Sequence, residues 1–128
     1  MNTKFKIALA VVAGAALGAA AMQGLHAQAK PKAYTVSELE VLDAAAQAVF
    51  TPLAQAALKA AGGRTFNTAG GRVVAIDGAA APKRAVINEW DSLEQAEAYY
   101  NSKAWKDLAP QREKAVKIIR RYAVEAMN

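Results

Sequence analysis

The chain has 128 residues, a net charge of +5, no cysteine and one histidine, His26. That length predicts a single domain. The absence of cysteine, and of histidine beyond residue 26, excludes Cys/His zinc sites, a His- or Cys-ligated haem, Ser-His-Asp chemistry and thiol nucleophiles from most of the chain.

Residues 1–29 read as a secretory signal. Lys4 and Lys6 make a basic start, Ile7–Met22 is a short apolar core, and Ala27 and Ala29 form an A-x-A site. The core holds 16 residues, short of the ~20 a membrane-crossing helix needs. Cleavage is expected after Ala29, leaving a periplasmic or secreted domain over 30–128 with no stable membrane anchor. That domain carries 14 basic and 11 acidic residues, interleaved along the chain. Nucleic-acid binding is not expected from so mild and mixed a charge. No D-x-D-type cluster suggests a carboxylate metal site, and no metal or cofactor is assigned.

Ala33–Glu40 predicts the first strand, fraying near Glu38, with Tyr34 and Val36 alternating with Thr35 and Ser37. Asp43 then suits an N-cap, because its carboxylate can accept from first-turn N–H groups. The following Ala-, Leu- and Gln-rich stretch predicts a helix with Val49, Leu53 and Ala56 or Ala57 at helical spacing. Pro52 predicts a kink or break near Phe50–Thr51. Gly62-Gly63 ends the helix.

Arg64–Thr68 reads as a second strand, Gly70-Gly71 as a turn or bulge, and Arg72–Ile76 as a further strand or its continuation. Asp77–Lys83 reads as a hairpin loop and Arg84–Trp90 as a strand apolar enough for burial on both faces. The doubled GGR at 62–64 and 70–72 is not read as a phosphate loop, which needs glycines leading from a strand into a helix. Ser92 and Gln95 fit a capping box, opening a helix through Glu94–Tyr100. Ser102 caps another turn, Pro110 breaks or kinks it, and Gln111–Val116 continues helically. Lys117–Ala126 closes the chain as a strand.

The order is β-α-β-β-(β)-α-β, an α+β, ferredoxin-like antiparallel sheet with helices on one face. Val86, Ile87, Ile118, Ile119, Tyr122 and Val124 are apolar on both parities of their strands. The second sheet face therefore needs a cover, and a second copy in a two-fold homodimer is the simplest one. A bound ligand is the alternative.

These segments resemble a known family. KAYTV at 32–36, GGR at 62–64, the Gly pair at 70–71, R-x-V-x-x-E-W-x-S-x-E-x-A from Arg84 to Ala96 and AYYNSKAW at 98–105 are similar to the domain-of-unknown-function family numbered 1330, in the dimeric α+β barrel group. The resemblance implies a ferredoxin-like fold and a homodimer whose sheets face each other. It implies no reaction, since relatives include cofactor-independent monooxygenases, haem enzymes, isomerases and non-catalytic modules. This chain has Ala44-Ala45-Ala46 where an acid often follows the helix-opening Asp, and lacks the histidines of haem-binding relatives.

Glu89 is the candidate catalytic residue. A carboxylate inside an apolar strand has a raised pKa unless it is paired, and then suits a general base. The alternative is a structural ion pair with Arg64, Arg84 or Arg112. Arg64 and Arg112 are candidate anion clamps through their planar donor forks. Tyr34, Trp90, Tyr100 and Trp105 are candidate ligand-lining aromatics, with core packing the alternative. Tyr99 points ~100° away from Tyr100 on a helix and is the weaker choice. Arg120 and Arg121 point to opposite faces of the last strand, one towards an acid across the dimer and one to water. The first expectation is a domain binding a small organic molecule between sheet and helices. A cofactor-independent oxygenase or isomerase and a non-catalytic dimerisation module stand beside it.

Overall fold

The structure is a computed structural model and describes residues 30–127. The signal segment expected over 1–29, with His26, lies outside them. Strand β1 is Ala33–Val41, helix α1 Ala44–Ala60, β2 Arg64–Thr65, β3 Arg84–Trp90, α2 Leu93–Tyr100, α3 Lys103–Lys106, α4 Ala109–Ala115 and β4 Val116–Glu125. The strands form one sheet in the order β2-β3-β1-β4, with every pairing antiparallel. It is an α+β, ferredoxin-like fold.

Local chemistry sets the element ends. Asp43 Oδ1 accepts from the Ala46 N–H at 2.7 Å and opens α1. The helix then runs unbroken through Pro52, against the expected break. Pro52 and Ala48 lie on the exposed side, where water can serve the carbonyl that loses its intrahelical donor. Gly62, at φ +91°, and Gly63 close α1. Their N–H groups donate to the Lys59 and Leu58 carbonyls at 3.0 and 2.9 Å, the paired bonds of a Schellman stop. Ser92 and Ser102 cap α2 and α3 through the N–H groups of Gln95 and Trp105. Pro110 starts α4 instead of ending a helix, consistent with proline's fit to a first helical turn.

Three strand expectations change. β2 is two residues long, and Arg72–Ile76 forms no strand. The outer edge of β3 is already occupied by the chain leaving β2. Phe66 N–H donates to the Ile87 carbonyl (2.9 Å) and the Thr68 hydroxyl to the Ala85 carbonyl (3.0 Å). With that edge taken, Val74 and Ile76 stay exposed in an irregular connection, so Asp77–Lys83 is not a hairpin loop. β1 reaches Val41 without fraying at Glu38. An irregularity falls there instead: Glu38 pairs with Arg120 and Leu39 with Ile118, leaving Ile119 as an extra residue in β4.

The helices pack on one sheet face in two apolar clusters. One holds Ala33, Leu58, Trp90, Ala96 and Tyr99, the other Leu39, Phe50, Ala115 and Val116, and Trp105 packs against both. α1 contributes Phe50, Ala54 and Leu58, one face at four-residue spacing. Val49 and Leu53 point outward. The opposite sheet face carries Tyr34, Val36, Ile87, Tyr122 and Val124 and has no helix over it among the described residues. Among those residues no helix is long and apolar enough to cross a membrane.

Candidate functional site

A cavity of about 120 Å³ opens between α1, the α2–α3 corner and the helix-side face of the sheet. Leu58 and Tyr99 of one cluster and Leu39, Phe50 and Val116 of the other share its wall, so it is the gap where the two clusters fail to meet. Its polar groups include Ser37 on β1, Asn88 on β3 and Arg121 on β4, at inward-facing strand positions, and Gln47, Thr51 and Gln55 on α1.

Arg121 reaches this face because of the irregularity in β4. Ile118 opposite Leu39 and Arg121 opposite Ser37 both face the helices, although they are three apart and would alternate in a regular strand. The Arg121 Nε donates to Ser37 Oγ at 2.8 Å. Its guanidinium lies over the rings of Tyr100, at 4.5 Å, and Trp105, at 4.6 Å. Burial is the main force on its proton and lowers its pKa, and Arg112 nearby acts in the same direction. Arg112 also stacks on Trp105, at 4.3 Å, and donates to the Trp105 carbonyl at 3.0 Å. Neither guanidinium forms an ion pair among the described residues.

On two residues that line the cavity, Asn88 Oδ1 and the Tyr99 hydroxyl are buried without a hydrogen-bond partner among the described residues. Each residue is 3% exposed. Burial pushes the Tyr99 pKa up to about 12, with Tyr100 adding to the effect. A buried polar atom left unbonded costs on the order of 1–3 kcal/mol, a local cost that the fold carries here.

The sequence candidates divide between the two sheet faces. Tyr100 and Trp105 line the cavity, and Arg112 braces Trp105 beside it. Trp90 is fully buried in the core, donating from Nε1 to Thr35 Oγ1 at 3.1 Å. Tyr34, Arg64 and Glu89 stand together on the other face. There Glu89 accepts from Arg64 Nε (2.8 Å), Lys32 Nζ (3.0 Å) and the Tyr34 hydroxyl (3.3 Å). The hydrogen bonds from Lys32 and then Arg64 hold the Glu89 pKa below its ordinary value. The raised pKa expected of an unpaired base is therefore absent, and the ion-pair alternative describes its surroundings. Arg64 also bonds Asp91 at 2.9 Å, which with Glu89 raises its own pKa. Arg120 pairs with Glu38 of its own chain. Arg121 goes to the cavity and not to water, and Tyr99, judged the weaker aromatic, is a buried part of the wall. Asn88 was signalled by little more than being a polar residue in an apolar strand.

The chain belongs to the family described as Domain of unknown function (DUF1330), whose profile matches residues 32–127. No curated protein matches its sequence. Among solved structures it is similar to a protein of unknown function from Rhodopseudomonas palustris, with 12% identity and a TM-score of 0.61 over 84% of this chain and 92% of that one. It is also similar to SnoaB, a cofactor-independent oxygenase from Streptomyces nogalater, with 9% identity and a TM-score of 0.48 over 77% of this chain and 95% of that one. At these identities the likeness concerns the fold alone.

Proposed function

We propose that this chain binds a small organic molecule in the cavity between the sheet and its helices. The observation that carries this reading is the cavity itself, walled mainly by apolar side chains, with the Arg121 guanidinium at its wall in no ion pair among the described residues. Apolar walls with a few convergent polar groups are the usual make-up of a ligand site. Native mass spectrometry of the purified protein tests it. The expected result is an added small mass that disappears in Ala54→Phe, which fills the cavity. A bare polypeptide mass, even after incubation with a metabolite extract, contradicts the reading. Catalysis in this cavity by Glu89 has no geometric support, because Glu89 is ion-paired on the other face of the sheet.

A second proposal concerns that other face. Phe66, Ile119, Tyr122 and Val124 are each 44–52% exposed, and Phe66 stacks on Tyr34 at 6.3 Å. An apolar sheet face of this kind is covered in a two-fold homodimer by the same face of a second copy, giving the dimeric α+β barrel. Sedimentation should give a dimer, and a well-folded monomer at high concentration would sink the proposal. The third proposal is export, with residues 1–29 as a cleaved signal and 30–128 as a periplasmic or secreted domain. Intact mass of the exported protein should begin at Lys30, and a mass that retains His26 contradicts it.

A further inference from the structure

The ligand-site reading leaves the chemical class of the ligand open, and Arg121 narrows it. A guanidinium is rarely buried without a carboxylate or phosphate beside it, because removing its charge from water is costly. On the open face of this sheet Arg64 and Arg120 each have such a partner, in Glu89 and Glu38. Arg121, at the cavity, has Ser37 Oγ on its Nε and its guanidinium carbon 4.5 and 4.6 Å from the centres of the Tyr100 and Trp105 rings. No acceptor among the described residues takes its terminal Nη groups. Arg112 stands close enough to oppose its charge, so the site carries two cations around one indole. The planar donor fork of Arg121 suits a group with two coplanar oxygens.

We propose that the cavity takes a small organic acid, its carboxylate held by the Arg121 fork and its apolar body against Leu39, Phe50, Val86 and Ile118. This rests on the ligand-site reading above. The walls come mainly from aliphatic and aromatic side chains, which favours a flat or compact hydrocarbon body over a sugar or a nucleotide.

The test uses the full chain and the intrinsic fluorescence of Trp105, which lines the cavity. Benzoate, phenylacetate and octanoate are titrated beside benzamide, phenylacetamide and octanamide, which keep each shape and lose the charge. At least one acid is expected to bind saturably and at least about tenfold more tightly than its amide, the range of a charge-assisted bidentate contact. Arg121→Met should abolish that preference, and Arg121→Lys, which keeps the charge without the fork, should leave part of it. Arg120→Met, on the opposite face, should leave it intact. Equal binding of acids and amides, or a preference that survives Arg121→Met, overturns the organic-acid proposal and leaves the ligand-site reading standing. Binding of neither set overturns both.

Discussion

The two faces of this sheet treat their arginines in opposite ways. On the open face Arg64 meets Glu89 and Asp91, and Arg120 meets Glu38, so each positive charge has a carboxylate within its own chain. On the helix face Arg121 and Arg112 meet aromatic rings and neutral oxygens. Charges that are paired and partly solvated contribute little and hold geometry. A charge drawn into a cavity without a counter-ion marks a place prepared for one. The contrast locates the candidate site on the helix face, away from the glutamate that stands out in the sequence.

The strongest perturbation should come from the packing that builds the cavity side. Trp90→Ala removes a fully buried ring that packs on Tyr99 at 5.3 Å, and should cost about 3–5 kcal/mol in denaturant unfolding. A loss below about 1 kcal/mol would mean that this side is not the core. Val124→Lys, on the open face, should leave the unfolding free energy of the single chain within about 0.5 kcal/mol while weakening self-association in sedimentation. Sedimentation unchanged by the substitution would place the proposed dimer contact elsewhere.

The remaining two effects are smaller and depend on pH. The Glu89 pKa is depressed by Lys32 and Arg64, so its share of stability is present above the ordinary carboxylate value of 4.5 and is lost as pH falls through the depressed one. Glu89→Gln should lower the melting temperature slightly at neutral pH and flatten the acid limb below pH 4.5. If instead it sharpens a loss of ligand binding without touching that limb, the separation of the two faces fails. The Tyr99 pKa is raised from 10 to about 12, so the folded state loses stability as pH rises through that window, where the unfolded chain ionises first. Tyr99→Phe should remove that alkaline loss and cost little at neutral pH, since the hydroxyl has no partner to lose among the described residues.

Where local chemistry decides, the sequence was readable. Asp43, Ser92 and Ser102 cap the helices that their spacing suggests, and the Gly62-Gly63 stop follows from what a helix end requires. The doubled GGR has no phosphate-loop geometry, because its first pair ends a helix and its second sits in a turn outside the sheet. Where the answer depends on a partner elsewhere in the fold, pattern alone misled. Arg72–Ile76 has strand composition, but the edge it needed is satisfied by Phe66 and Thr68. Thr35 and Ser37 are buried under the helices, while the more apolar Tyr34 and Val36 face out. The hydroxyls have donors waiting in Trp90 and Arg121, which strand alternation cannot reveal.

The site was legible to a similar degree. Tyr100 and Trp105 could be chosen as pocket aromatics from their helix, and Arg112 from its charge. Arg121 could not, because one extra residue at Ile119 decides which face it takes, and nothing in VKIIRRYAVE announces that residue. Glu89 drew notice as a carboxylate in an apolar strand. Arg64 was one of three partners its sequence offered, while Lys32, 57 residues away in the chain, joins it only in the folded sheet.

The most direct test of the division between the two faces is amide and side-chain NMR shift mapping during a benzoate titration. The changes should gather on Ser37, Asn88, the Tyr99–Trp105 corner and Arg121, with Tyr34, Arg64, Glu89 and Tyr122 undisturbed. Changes that gather on Tyr34, Arg64 and Glu89, with Arg121 and Asn88 silent, would place the ligand site on the open face and contradict the account.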